Sequence, residues 1–196
     1  MQKITRDNLI EIAEKLLADG TVTRVLGWKK GEFSYDQTPA IFTSAQEMKD
    51  SFVFDDFSGA NFSKYLVKET RKEDGKVLVF LKPCDTYSFN QLLTEHRFDR
   101  EKVYAVGIPC EGMVDVSKLK AITGEGISGI KEDGENLLVT TIYEDNPIAV
   151  SSKDVLLERC VNCKSKKHVA YDANHRQIYP NSSSQSMSLP HSRTRF

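Results

Sequence analysis

The chain carries four cysteines whose positions point to metal chemistry. Cys84 and Cys110 each follow a proline at the end of a short apolar run, and Cys160 and Cys163 form a CxxC pair. Thiolates are the soft ligands that zinc and iron–sulfur clusters prefer, and a [4Fe–4S] cluster takes four of them. The sequence therefore predicts one tetrathiolate metal or cofactor site, with these four cysteines as its candidate ligands.

The elements around the first two cysteines explain why they are expected to meet. The apolar runs 77–81 and 103–108 predict two β-strands, and the segment between them has room for one helix, over 86–96, with Asp85 as its cap. In such a βαβ unit both strands are parallel, so their carboxyl ends open on one edge of the sheet. Ligands bind at that edge in α/β proteins. We expect the CxxC pair to fold back to the same edge.

Spacing alone leaves three interpretations of the cysteines open: an iron–sulfur cluster, a structural zinc ion, or no metal at all. In the third case Cys84 and Cys110 are small buried residues and the CxxC pair is idle. A thioredoxin-like couple is disfavoured, because the pair ends a helical pattern and does not begin one. Asp85 and Glu111 are candidate acids or bases, although such groups more often cap helices. His168 is a further candidate ligand, with a solvated histidine as the simpler interpretation.

The remaining patterns predict an α/β fold: a mixed sheet with a parallel βαβ unit and β-hairpins, and helices packed on the sheet. The other predicted elements, in chain order, are a helix over 5–20, strands over 22–28 and 33–35, a short helix after Ser44, a helix over 61–72 that stops at 73–75, a hairpin of 127–131 with 137–143, and a helix from Ser151 or Ser152 to Cys160. A GxGxxG match at 124–129 precedes a strand pattern, so we predict that it is not a dinucleotide site.

Composition excludes several classes of function. The net charge of −1 over 196 residues leaves no basic footprint for nucleic acid or an anionic membrane. No leader pattern opens the chain and no apolar run approaches membrane-spanning length, so we expect a cytoplasmic protein with reduced thiols. Residues 1–173 are predicted to form one domain. Residues 174–196 are rich in serine and poor in apolar residues, which predicts a disordered or non-native tail.

The cysteine motifs resemble those of a known family. KPCD at 82–85, GIPCEG at 107–112 and CVNC at 160–163 are similar to motifs of iron–sulfur β subunits in anaerobic redox complexes. These complexes are the F420- or NAD(P)-linked hydrogenases, formate dehydrogenases and anaerobic sulfite reductases. The resemblance covers roughly residues 28–172. Such subunits normally continue into a ferredoxin-like region rich in cysteines, which does not follow here.

The resemblance implies the N-terminal domain of an electron-transfer subunit that does no substrate chemistry itself. Cys84, Cys110, Cys160 and Cys163 match the family's cysteine motifs and are implied ligands of a [4Fe–4S] cluster. The implied partners are other subunits of a redox complex, some of which use a flavin. Two alternatives from other classes stay open: a zinc-stapled interaction domain without catalysis, and an oxidoreductase domain that binds a flavin or F420 in the same cleft.

Overall fold

The computed structural model describes residues 4–72, 75–144 and 146–174. They form a mixed sheet with helices packed against it and a second, purely antiparallel sheet. The α/β fold predicted from the sequence is thereby confirmed. Residues 73 and 74 of the predicted helix stop, and almost all of the predicted tail, fall outside the described residues. None of the helices within these ranges is long and apolar enough to cross a membrane.

The strands, in chain order, are β1 (Arg24–Lys30), β2 (Gln37–Phe42), β3 (Phe52–Val53), β4 (Val77–Leu81), β5 (Val103–Gly107), β6 (Ile127–Asp133), β7 (Asn136–Thr141), β8 (Ile148–Ser151) and β9 (Ala173–Asn174). The helices are α1 (Arg6–Ala18), α2 (Ala45–Ser51), α3 (Ser63–Lys72), α4 (Pro83–Thr94), α5 (Val116–Thr123) and α6 (Glu158–Val161).

The large sheet positions the cysteines. Its strand order is β2-β1-β4-β5-β9, and β3 pairs with the end of β1. Strands β1, β4, β5 and β9 are mutually parallel, whereas β2 and β3 run antiparallel to β1. All five residues of β4 are buried, as expected for a central strand covered on both faces. The βαβ unit predicted around β4, α4 and β5 is confirmed.

The smaller sheet is built from residues inserted between Cys110 and Cys160. Its order is β6-β7-β8, and it has a separate apolar core that includes Leu119 of α5. The predicted hairpin is confirmed, with a tighter turn at 134–135. As predicted, the GxGxxG match at 124–129 runs directly into β6 and not into a helix.

The predicted strand over 33–35 is wrong. The partner of β1 is β2, and residues 33–35 lie in the connecting turn. Phe33 and Tyr35 stack on each other there, with ring centroids 5.5 Å apart, and Gly31 N–H donates to the Asp36 carbonyl at 2.7 Å. Tyr35 also packs against the core of the smaller sheet, which draws it away from the strand.

The predicted helix from Ser151 or Ser152 to Cys160 is also wrong for most of its length. Residues 152–155 form a turn and only Glu158–Val161 is helical. Leu156 makes an antiparallel bridge with Val114, so the chain is extended at that residue. A pairing partner about 40 residues away in the sequence overrides the local helical pattern.

Candidate functional site

A cavity of about 490 Å³ opens at the carboxyl ends of β4 and β5, and all four cysteines line it. The register Leu81↔Gly107 brings the ends of the two strands side by side, which places Cys84 and Cys110 at one edge of the sheet. Cys160 and Cys163, which follow the insertion in the sequence, line the same cavity. All four thiols are free. The prediction that all four cysteines lie at one edge of the sheet is confirmed, and their role as ligands stays a prediction.

Cys84 lies in the first turn of α4, which begins earlier than predicted. Pro83 occupies the first helical position, where the missing N–H costs nothing. Asp85 is therefore not the cap residue; Lys82 is. Asp85 lies at the third position, and its Oδ2 accepts a hydrogen bond from the Lys82 backbone N–H at 3.3 Å. Helix α4 thus presents Cys84 to the cavity on a rigid first turn.

The Lys82 side chain is buried directly under this turn. Its Nζ lies 3.1 Å from Asp85 Oδ2 and donates to the carbonyls of Ser58 and Ala60, each at 3.0 Å. The ammonium also lies 4.8 Å from the centroid of the Trp28 ring. These contacts replace the water that a buried charge loses. Sequence reasoning missed this lysine because lysines are rarely fully buried. Its place directly after five apolar strand residues was the available signal.

The insertion brings Cys110 and Cys160 together at its two ends. The bridge between Val114 and Leu156 closes the insertion, with flanking backbone bonds from Asp115 N–H to the Val155 carbonyl at 2.7 Å and from Leu157 N–H to the Met113 carbonyl at 2.8 Å. Cys110 precedes Val114 by four residues and Cys160 follows Leu156 by four. In an antiparallel bridge, the chain before one residue and the chain after its partner lie on the same side. Cys110 and Cys160, which are 50 residues apart in sequence, are therefore on the same side of the bridge.

Cys163 follows the short helix α6, and the chain then returns to the large sheet. His168 is half-buried, and its Nε2 lies 2.9 Å from the Ile108 carbonyl oxygen. The interpretation of His168 as a solvated residue is therefore wrong, and it is not among the residues lining the cavity. Val169 N–H donates to the Thr86 hydroxyl at 3.1 Å. The stretch after Cys163 is thus bonded to both strand ends.

The environment of Cys84 and Cys110 favours their protonated form in the metal-free protein. Cys84 is exposed as a residue, yet partial desolvation of its sulfur and the nearby Asp85 carboxylate raise its pKa to about 11, against a lowering by Lys82. Desolvation likewise raises the pKa of Cys110. Burial also raises the pKa of the Asp85 carboxyl, although Lys82 opposes the shift.

The charges of the thiols also act on one another. The pKa of Cys84, raised first by desolvation, is raised further by Cys110 and Cys163, and that of Cys110, likewise raised first by desolvation, is raised further by Cys160.

The donor set matches a soft metal, although the cage is not closed. Four thiols around one cavity are the ligands that zinc or an iron–sulfur cluster takes. Within the described ranges, no three His, Cys, Asp or Glu side chains are close enough together to hold a metal ion as they stand. Binding of a metal ion or cluster would therefore require the four sulfurs to move closer together. Besides the buried Lys82, three basic side chains line the cavity: Arg159, Lys164 and Lys166.

The chain is similar to known proteins over most of its length. No family model matches the chain. It is 26% identical over 144 residues to the β subunit of an F420-dependent formate dehydrogenase from Methanocaldococcus jannaschii, covering 74% of this chain and 32% of that protein. The resemblance to β subunits of anaerobic redox complexes is confirmed. The β subunit of F420-dependent formate dehydrogenase 1 from Methanococcus maripaludis is 30% identical over 103 residues, covering 50% of this chain and 25% of that protein.

The chain spans about a third or less of the length of these curated relatives. Its fold is also similar to a chain in a xenon-derivatised structure of the F420-reducing [NiFe] hydrogenase complex from Methanosarcina barkeri. The TM-score is 0.60 at 14% sequence identity, and the match covers 84% of this chain and 61% of that chain. At this identity the match shows a shared fold.

Proposed function

We propose that the chain is an electron-transfer domain of an F420-dependent oxidoreductase complex, in which Cys84, Cys110, Cys160 and Cys163 hold a [4Fe–4S] cluster. The observation that carries the proposal is the meeting of all four free thiols around one cavity. The curated relatives, which are β subunits of F420-dependent formate dehydrogenases, support the redox assignment. We infer that the partners are the other subunits of such a complex.

A bound cluster would supply one-electron chemistry, and the residues of the chain would hold it and set its surroundings. The Lys82–Asp85 pair carries no net charge when both groups are ionised, so it anchors the Cys84 turn without adding a charge to the site. Burial and hydrogen bonds to sulfur tune the potential of such clusters. Asp85 is committed to Lys82, which favours a structural role for its carboxylate over acid–base catalysis.

A second candidate is an anionic redox cofactor, a flavin or F420 itself, bound in the same cavity. The basic side chains of Arg159, Lys164 and Lys166 on the cavity lining favour it, because phosphate and carboxylate groups pair with such cations. The names of the relatives point to F420 chemistry in the complexes to which those proteins belong. A tetrathiolate zinc staple is the third outcome that the experiment must separate.

Anaerobic purification followed by reconstitution with iron and sulfide tests the proposal. We expect about four irons per chain and a broad visible absorption that dithionite bleaches. Cys84→Ala should abolish iron uptake, whereas the matched control Ser88→Ala, which alters another cavity-lining residue, should keep it. A colourless protein with stoichiometric zinc would support the staple. Structured blue and near-ultraviolet bands without iron would support the second candidate.

A further inference from the structure

The residues after Cys163 form a segment that spans the ends of two central strands. We call residues 164–174 the return segment. Its far end is fixed on β5: Ala173 and Asn174 pair with that strand, and Asp172 Oδ2 accepts from the Ala105 N–H at 2.7 Å. Asp172 Oδ1 also accepts from Arg100 at 2.7 Å. The return segment is therefore anchored on β5 at its end opposite to Cys163 in sequence.

Nearer the cavity, a buried hydroxyl bonds the return segment to the Cys84 turn. Thr86 is fully buried, and its Oγ1 donates to the Pro83 carbonyl at 2.7 Å. The same oxygen accepts from the Val169 N–H at 3.1 Å. Thr86 lies two residues after Cys84, so one side chain couples the first turn of α4 to the return segment.

A second contact bonds the return segment to the Cys110 loop. His168 Nε2 lies 2.9 Å from the carbonyl oxygen of Ile108, two residues before Cys110. The ring packs over the end of β5, where a Cβ added at Gly107 would lie 2.9 Å from His168 Cδ2. Glycine at this position therefore leaves the space that the imidazole fills.

We infer that Thr86 and His168 are positioning residues that bring Cys163 to the Cys84 and Cys110 strand ends, an inference that rests on the proposed role of the four cysteines. Cys163 follows a helix of only four residues, and its neighbours Lys164 and Lys166 are exposed. A segment of that kind loses conformational entropy when it is ordered, and contacts further along must offset the loss. The contacts of Thr86 and His168 join this segment to the two strand ends that carry Cys84 and Cys110.

The test compares variants by the alkylation rate of each cysteine in the metal-free protein, read by peptide mass spectrometry with iodoacetamide as the probe. Thr86→Val keeps the shape of the side chain and removes the hydroxyl, whereas Thr86→Ser keeps the hydroxyl. We expect Cys163 to react roughly three- to tenfold faster in Thr86→Val, the factor that one lost hydrogen bond gives. Cys110 should keep its rate, and Thr86→Ser should behave as the unaltered chain.

Gly107→Ala provides an independent variant, because its methyl group displaces the His168 ring and leaves Thr86 intact. It should raise the Cys163 rate in the same way, and both variants should weaken Cd²⁺ binding by a similar factor. Unchanged Cys163 rates in both variants, or an equal rise at all four cysteines, would overturn the inference. Alkylation needs no bound metal. If the unaltered chain fails to take up iron, the proposed cluster is rejected, but the Cys163 alkylation rates still test the role of Thr86 and His168.

Discussion

The Lys82 ammonium and the Asp85 carboxylate lie 3.1 Å apart, both side chains being only 3% exposed, beside the cysteine cavity. Burying two charges costs more than their attraction returns unless further polar contacts are made. Here the carbonyls of Ser58 and Ala60 and the Trp28 ring supply those contacts. The pair thereby fastens the 58–60 loop to the turn that carries Cys84, which makes it the structural base of the site.

Removing the ammonium alone should destabilise the protein strongly. In Lys82→Met the Asp85 carboxylate stays buried without its partner, and breaking such a pair typically costs about 3–5 kcal/mol. We expect the free energy of unfolding to fall by roughly that amount in urea titrations. The double variant Lys82→Met/Asp85→Asn should recover part of the loss, since no uncompensated charge remains. A single variant as stable as the unaltered chain would show that the pair contributes little.

Cys84 should titrate late in the metal-free protein. Desolvation and the Asp85 carboxylate raise its pKa to about 11, so its thiolate should be scarce near neutral pH. The rate of iodoacetamide alkylation at Cys84 should therefore rise with pH. Its midpoint should lie at a pH of about 11, well above the ordinary thiol pKa of about 8.5. A midpoint at the ordinary value would contradict the described environment.

The raised pKa of Cys84 also makes the stability of the protein depend on pH. The folded chain holds the Cys84 proton more tightly than the unfolded chain does, because the folded pKa is the higher one. This contribution to stability is complete below the ordinary thiol pKa and is lost as the pH rises through the folded value. Metal-free protein should thus lose stability on the alkaline side, and Cys84→Ser should show a smaller loss there in melting curves.

Gly112 should tolerate a side chain less well than another glycine with positive φ. Its φ is 142°, and an added Cβ would lie 2.7 Å from Leu156 Cδ2, next to the bridge that closes the insertion. Gly124, with a φ of 79°, has no atom within 4 Å of an added Cβ. Backbone strain costs about 1–3 kcal/mol in either case, so Gly124→Ala measures that term alone.

The excess loss in Gly112→Ala over Gly124→Ala isolates the contact with Leu156. We expect the excess to shrink when Leu156→Ala is combined with Gly112→Ala, because the obstructing atoms are then gone. Urea denaturation of these three variants and of Leu156→Ala alone gives the comparison. Equal losses for the two glycine variants would mean that the Leu156 contact places no demand on residue 112.

Local patterns were sufficient to predict the part of the site that depends on the βαβ unit. The runs before Cys84 and Cys110 are apolar and short, and the connection between them has room for a single helix, so parallel strands and a shared edge follow from chain geometry. The hairpin of β6 and β7 was predictable for the same reason, since its turn and its strands are contiguous in sequence.

The features that sequence patterns missed depend on contacts between distant residues. The apolar run Val155 to Leu157 predicts a helix, yet the bridge of Leu156 with Val114 and the bond from Asp115 N–H to the Val155 carbonyl hold this part of the chain out of a helix. Strand β9 was missed because two residues without a periodic pattern carry no local signal. The burial of Lys82 depends on carbonyl groups more than 20 residues away, and no local rule indicates that a lysine will find them.

The insertion should control the approach of Cys110 to Cys160 without affecting that of Cys84 to Cys110. Leu119 is fully buried in the core of the smaller sheet, and Leu→Ala changes at such sites cost about 2–5 kcal/mol. Loss of this packing should loosen the Val114–Leu156 bridge. We expect Leu119→Ala to reduce the yield of a short bifunctional thiol crosslink between Cys110 and Cys160.

The matched control for this prediction is Leu16→Ala, which alters the core of the large sheet. Each crosslink is measured in a background where the other two cysteines are serine. The yield between Cys84 and Cys110 depends on the register of β4 and β5, so Leu119→Ala should leave it unchanged. Leu16→Ala should spare the Cys110–Cys160 crosslink at temperatures below its own unfolding transition. Equal loss of both crosslinks in Leu119→Ala would show that the two cores act as one unit and that the insertion has no separate hold on its pair of cysteines.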